Sequence, residues 1–230
     1  MTYKVALGGI DLATYELAVG DITDLDGKPA IVVQGHAKAA GLVKIVANID
    51  DRFTSYIDTT TGRPLKFLVD EYATKSDDVE HTVVSIAARS GASVPVEFHI
   101  NDAAPTPEPQ TVSLPDVWDY NSFLVALRAW EAPPGTKITA EVFRSRYLWH
   151  VDMTIGDKTK LVTELGELPA LRIDGHTYKV DRTNKQQAGS DARDFSVWIS
   201  DDAARVPLKI NTRTDYGDVA MTIVDYAGGK

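Results

Sequence analysis

Ala13-Thr14-Tyr15-Glu16-Leu17-Ala18-Val19 puts Tyr15, Leu17 and Val19 on one face of an extended chain and Thr14, Glu16 and Ala18 on the other. A helix would instead bring together residues three and four apart, so this period of two reads as a strand. Asp24-Leu25-Asp26-Gly27-Lys28-Pro29 ends the run. Asp-Gly tolerates positive φ and Pro removes a backbone donor, so the segment is a turn. Residues 30–36 then form the next strand.

The same period extends in both directions. Tyr3 to Leu7 precede the run, with Gly8-Gly9 as the break. Downstream, strand-like runs cover 53–57, 65–72, 81–86, 94–100, 137–143, 147–155, 159–165, 170–180, 196–200, 206–214 and 219–226. Gly156-Asp157-Lys158-Thr159 reads as a hairpin turn between two of them, and the polar Thr74 to Asp78 as a connection. Residues 41–47 are too apolar for an exposed loop and short enough for one or two helical turns. The polar residues 182–194 read as a long, mobile loop.

One helix is expected. Asp116 after Pro115 is an N-cap candidate, and Val117, Tyr120, Phe123, Leu124, Leu127 and Trp130 fall at helical spacing before Pro133-Pro134-Gly135. This predicts a helix over 116–131. Ala103-Ala104-Pro105-Thr106-Pro107-Glu108-Pro109-Gln110 reads as an extended, solvated linker. About twelve strands with one helix give an all-β fold, an antiparallel meander curled into a half-barrel or barrel. A parallel sheet would need crossover helices that the pattern lacks. The expected unit is a single β-rich domain over 1–230, with halves at 1–102 and 111–230.

Two stretches echo each other in order. Leu17-Ala18-Val19-Gly20-Asp21 matches Met153-Thr154-Ile155-Gly156-Asp157, and Gly27 to His36 matches Glu167 to His176. Asp58 to Lys66 matches Asp201 to Lys209. Hairpin punctuation recurring by chance gives such an echo, and so does a sheet built of two similar halves.

The 230 residues suffice for a sizeable core. Lys plus Arg is 24 against 33 Asp plus Glu, a net charge of -9, which argues against nucleic acid as a partner. There is no Cys, which excludes disulfides, thiolate catalysis and Cys-ligated metal. No apolar run is long enough for a membrane-spanning helix. Met1 leads directly into strand alternation without a signal-like segment, which fits either a cytosolic chain or one whose targeting segment is absent.

Catalytic patterns are missing. His36, His81, His99, His150 and His176 form no His-Glu-x-x-His, and there is no Gly-x-Ser-x-Gly. Asp24-Leu25-Asp26-Gly27 resembles part of a calcium loop, but the frame would need ligands at Ile22 and Val33. Glu16, Glu71, Glu97 and Glu141 lie on strands, and nothing selects a glycosidase pair among them. No catalytic residue, metal ligand or cofactor is expected. The aromatic residues are more informative. A sheet that curls without filling itself leaves an apolar lumen, and Trp118, Phe123, Leu127, Trp130 and Trp149 are expected to face it.

Val197-Trp198-Ile199-Ser200-Asp201-Asp202-Ala203-Ala204-Arg205-Val206-Pro207-Leu208-Lys209-Ile210, followed by Tyr216-Gly217-Asp218-Val219, resembles the bacterial domain of unknown function 3108. Asp119-Tyr120 through Leu127-Arg128, Gly135, Leu168 to Arg172, Tyr3 to Gly9 and Asp58 to Pro64 fit the same resemblance. It implies an exported protein of the Gram-negative envelope and carries no functional residue with it. In the motif, Asp201 and Asp202 are expected to open a turn and pair with Arg205, Pro207 to start a strand, and Trp198 to pack inward. In outline the meander with one helix is also similar to the periplasmic lipoprotein carriers LolA and LolB. The expected function is a non-enzymatic binding protein for an apolar or amphipathic ligand, a lipid or lipoprotein acyl chain. The expected location is periplasmic or outer-membrane-associated. The alternative is a structural or assembly protein acting through envelope-protein contacts.

Overall fold

The predicted first hairpin forms as β2 (Ile10–Leu25) and β3 (Lys28–Ala39). Asp26 (φ 53°) and Gly27 (φ 82°) make its two-residue turn, the left-handed pair that matches strand twist. The computed structural model describes residues 1–45, 49–73, 76–214 and 217–228. Expectations touching Val46, Ala47, Thr74, Lys75 and Tyr216 lie outside the described residues.

Around that hairpin lie β1 (Thr2–Leu7), β4 (Asp50–Asp58), β5 (Pro64–Tyr72) and β6 (Val79–Val84). Then come β7 (Ser93–Val94), β8 (Val96–Ile100), β9 (Thr106–Pro107), β10 (Gln110–Thr111) and β11 (Val117–Asp119). Among the described residues there is one α-helix, α1, which spans Tyr120–Leu127. The remaining strands are β12 (Lys137–Arg144), β13 (Tyr147–Thr163), β14 (Gly166–Lys179), β15 (Arg193–Ser200), β16 (Pro207–Thr214) and β17 (Gly217–Asp225). The excess over the expected number is mainly the two- and three-residue strands β7, β9, β10 and β11. A 3-10 turn at Gly41–Ile45 resolves the ambiguous apolar segment.

Fifteen strands make one sheet, in the order β11-β12-β13-β14-β15-β16-β17-β1-β2-β3-β4-β5-β6-β8-β9. The six-stranded meander β12–β17 therefore joins the six-stranded meander β1–β6 through the antiparallel pair β17–β1. The sheet curls until β11 packs against β5, but no ladder among the described residues joins its two ends. Side chains bridge the overlap instead. Arg146, in the β12–β13 turn, lies 3.2 Å from Glu80 and 3.4 Å from Glu108, with its guanidinium over the Phe98 ring. Arg182 also pairs with Glu108.

The echo is structural. β2–β3 slips register between Val19↔Val33 and Ile22↔Ile31, and β13–β14 slips the same way between Ile155↔Ile173 and Lys158↔Leu171. Each slip leaves one extra residue on the longer strand, at Gly20-Asp21 and at Gly156-Asp157. Gly156 to Thr159 is thus a bulge inside one long strand, not a hairpin turn. Asp58 accepts from the Thr60 and Thr61 amides, and Asp202 from the Ala204 and Arg205 amides, before Pro64 and Pro207 open β5 and β16.

Three further expectations change. The helix starts at Tyr120 with Asp119 as N-cap, because Val117–Asp119 are drawn into a parallel pairing with β12. Asp116 instead pairs with Arg63 at 2.7 Å. The Pro-rich segment is not a free linker: Thr106–Pro107 pair with β8, Glu108 holds two arginines, and Gln110 is 1% exposed. Finally, residues 182–194 open with a tight turn, in which the Asp181 carboxylate accepts from the Thr183 and Lys185 amides.

Candidate functional site

Alternation along the strands decides which side chains enter the curl. Val142 and Arg144 of β12, Trp149 and Val151 of β13, and Arg193, Phe195 and Val197 of β15 share the inner face. With Tyr15, Phe53, Met221 and the helix residues Tyr120, Phe123 and Leu124 they line a half-open cavity of about 430 Å³. Its walls are mostly aromatic and aliphatic.

The helix is fixed against the sheet by buried polar contacts. Asp119 and Ser122 form a reciprocal capping box, which satisfies the first amides of α1. Asp119 also accepts from the Ser55 hydroxyl at 2.5 Å, while its second carboxylate oxygen has no partner. Burial pushes the Asp119 carboxyl above its ordinary range, against the opposing Ser122 and Ser55 hydrogen bonds. Asn121 accepts from the Tyr15 hydroxyl at 2.8 Å and donates to the carbonyls of Val33 and Phe53. Gly35 is required here, since a Cβ at that position would collide with the Tyr15 hydroxyl and with Asn121 Oδ1.

The far end of α1 is held by the motif that carries the family resemblance. Its Asp202 turn gives Arg205 a φ of 45°, and the Arg205 guanidinium donates to the carbonyls of Arg128 (2.7 Å) and Trp130 (2.8 Å). Arg205 therefore clamps the helix end instead of pairing with Asp201 or Asp202, and Asp201 pairs with Lys158 at 2.8 Å. Trp198 does not pack inward. It lies on the face opposite Val197, with Arg172 and Lys209 against its ring.

Polar groups gather at one end of the cavity, where β12 and β16 finish and β4 and β15 begin. Asp51, Arg144, Thr177, Arg193, Thr212 and Thr214 line it there. Thr177 and Arg193 are direct cross-strand neighbours. Asp51 accepts from the Tyr72 amide at 3.0 Å, and burial raises its pKa, with Glu71 also raising it and Arg144 opposing.

Of the residues expected to face the lumen, Phe123 and Trp149 line this cavity. Trp118, Leu127 and Trp130 lie outside its lining. Trp118 and Trp130 meet edge-on at 6.1 Å, and Leu127 is fully buried. None of the histidines lines it. His81 contacts Asp70 at 2.6 Å, His36 pairs with Asp50, and His150 and His176 flank Asp152 at 3.7 and 3.8 Å. Among the described residues no cluster of His, Asp and Glu is arranged to hold a metal ion. Glu141 is buried as a structural acceptor for Ser113, Leu114 and Asn184. The rim residues Asp51, Arg144 and Arg193 escaped sequence reasoning. Their only signal is a charge on the inward phase of a strand, which needs the register to be visible.

No curated protein matches the chain. Among solved structures, it is similar to the crystal structure of a beta-barrel-like protein of domain of unknown function DUF1849 from Brucella abortus. The TM-score is 0.60 at 6% identity, over 97% of this chain and 94% of that one, a likeness of fold alone. The family model matches residues 2–224, nearly all of the chain, and the chain belongs to DUF3108, a family of proteins of unknown function.

Proposed function

We propose that the chain is a non-enzymatic binding protein of the bacterial envelope, periplasmic or associated with the outer membrane. Its ligand is apolar or amphipathic, such as a lipid or lipoprotein acyl chain. The observation that carries this reading is the half-open cavity of about 430 Å³ inside the curled sheet. Its size suits one small ligand, and burial there contributes roughly 25 cal/mol per Å² of apolar surface removed from water. Among the described residues of the lining Asp51 is the sole carboxylate. The envelope location rests on the resemblance to exported proteins.

The test is titration with a neutral solvatochromic dye, beside native mass spectrometry of protein taken from its own envelope. A saturable blue shift that Ala37→Phe abolishes is expected, with a lipid retained at defined stoichiometry. No dye binding and a clean apo mass would remove this reading.

A second reading, an assembly protein acting through protein contacts, draws on the two long hairpins. Their outer ends expose Ile22 (66%) and Val162 (74%) to solvent. It would gain if the dye failed to bind and Ile22→Asp or Val162→Asp released a defined envelope partner.

A further inference from the structure

The mouth of the cavity differs in charge from the rest of the molecule. The chain carries a net charge of -9, yet among the described residues the lining holds two guanidinium groups, Arg144 and Arg193, and one carboxylate, Asp51, with Arg193 itself engaged within the protein. Asp51 is the weaker counterweight, because burial disfavours its charged form.

Most other polar groups of the lining already have a role inside the protein. Tyr15 donates to Asn121, Thr177 donates to the His150 carbonyl at 2.8 Å, and Thr214 donates to the Gly217 carbonyl at 2.7 Å. Arg144 is different. It follows Val142 on the inward phase of β12, at the last position before the Ser145-Arg146 turn. Among the described residues its guanidinium makes no hydrogen bond or close ion pair, its charge reaching Asp51 and Tyr120 only at longer range, and its side chain is exposed at the cavity mouth. A rigid fork of donors stands at the open end of an apolar slot, with its hydrogen-bonding capacity unspent.

Volume limits what can lie behind that fork. About 430 Å³ lies at the small end of ligand pockets, which run roughly 300–1,000 Å³, and suits a single short chain.

We propose that the cavity binds a single-chain amphiphile with an anionic head, the chain among Phe195, Val151 and Phe123 and the head against Arg144 and Arg193. This rests on the cavity-binding reading above and narrows it to a chemical class. The head is a carboxylate or a phosphate monoester, both of which accept from a guanidinium fork.

The experiment displaces the neutral dye with four probes of equal chain length: dodecanoate, its methyl ester, dodecyl phosphate and dodecyltrimethylammonium. Each is run below its micelle concentration on wild type, Arg144→Gln and Arg144→Gln/Arg193→Gln. Dodecanoate or dodecyl phosphate should bind roughly tenfold more tightly than the ester, and the cation more weakly still. The better of the two anions identifies the head. The preference, read within each variant as the ratio of anion to ester affinity, should shrink in Arg144→Gln and vanish in the double variant. Equal binding of anion and ester, or a preference unchanged in the double variant, overturns the inference and leaves the apolar cavity standing. If neither dye nor any probe binds the wild type, the cavity-binding reading falls with it.

Discussion

Ser55, in the middle of β4, donates its hydroxyl proton to Asp119 Oδ1 at 2.5 Å, although 64 positions of sequence separate them. The contact ties the sheet to the first turn of α1, and so to the Phe123 and Leu124 wall of the cavity. Asp119→Ala would strand the Ser55 hydroxyl and the Ser122 amide in the core. The expected loss is about 2–4 kcal/mol, checked by urea denaturation.

The same carboxyl gives stability a pH signature. Its pKa is raised in the folded state, so between the unfolded value near ~3.9 and the folded one the native protein holds more protons. Its contribution to stability is therefore present at low pH and is lost as pH rises through the folded pKa. Asp119→Asn keeps an acceptor oxygen and removes the titration. Measured by urea at several pH values between 4 and 7, the variant should gain on the wild type as pH rises. A pH-independent difference would count against the buried charge.

Gly35 is predicted to be intolerant. Gly35→Ala drives a methyl into the Tyr15 hydroxyl and Asn121, breaking the bond that seats the helix. About 1–3 kcal/mol should be lost. Gly9→Ala is the control, since a Cβ there meets nothing within 4 Å and only its φ of 88° is strained. A loss at Gly35 no larger than that at Gly9 would mean that Tyr15 and Asn121 give way to the added methyl and that this close approach does not set the cost.

Arg205→Ala should loosen α1 from its C-terminal end. Two charge-assisted bonds to the Arg128 and Trp130 carbonyls go, for a loss of about 2–3 kcal/mol. Amide exchange should speed up selectively in 123–128 while the β2–β3 ladder stays protected. Uniform acceleration would mean that the clamp serves the whole sheet.

Trp149 reports on the cavity. Trp118, Trp130 and Trp198 lie outside its lining, so a ligand-dependent change in tryptophan emission should disappear in Trp149→Phe while dye binding persists. A signal that survives the substitution would place the ligand elsewhere.

Much of the strand order was legible, because Tyr15, Leu17 and their counterparts alternate cleanly and Asp26-Gly27 names its own turn. The helix was found but misplaced. Val117 fits helical spacing, yet its backbone is captured by β12, a tertiary effect that periodicity cannot carry. Gly156-Asp157 looked like a turn because a bulge and a turn use the same residues, and only the partner strand distinguishes them. Phe123 and Trp149 were legible as inward aromatics. Arg144 was not, since a lone arginine at a strand end reads as solvated until the curl gives it a mouth to guard.

The ladder between β1 and β17 has a kinetic meaning. Thr2 pairs with Asp225, so the middle of the sheet is its most distant contact in sequence. On the ribosome β1 must wait for nearly the whole described chain to emerge before its second neighbour exists. Until then each meander exposes an edge at the place where the finished sheet has none. A permuted chain, cut within the exposed residues 102–105 and joined across its present ends, would turn that last-formed seam into an ordinary hairpin between sequence neighbours.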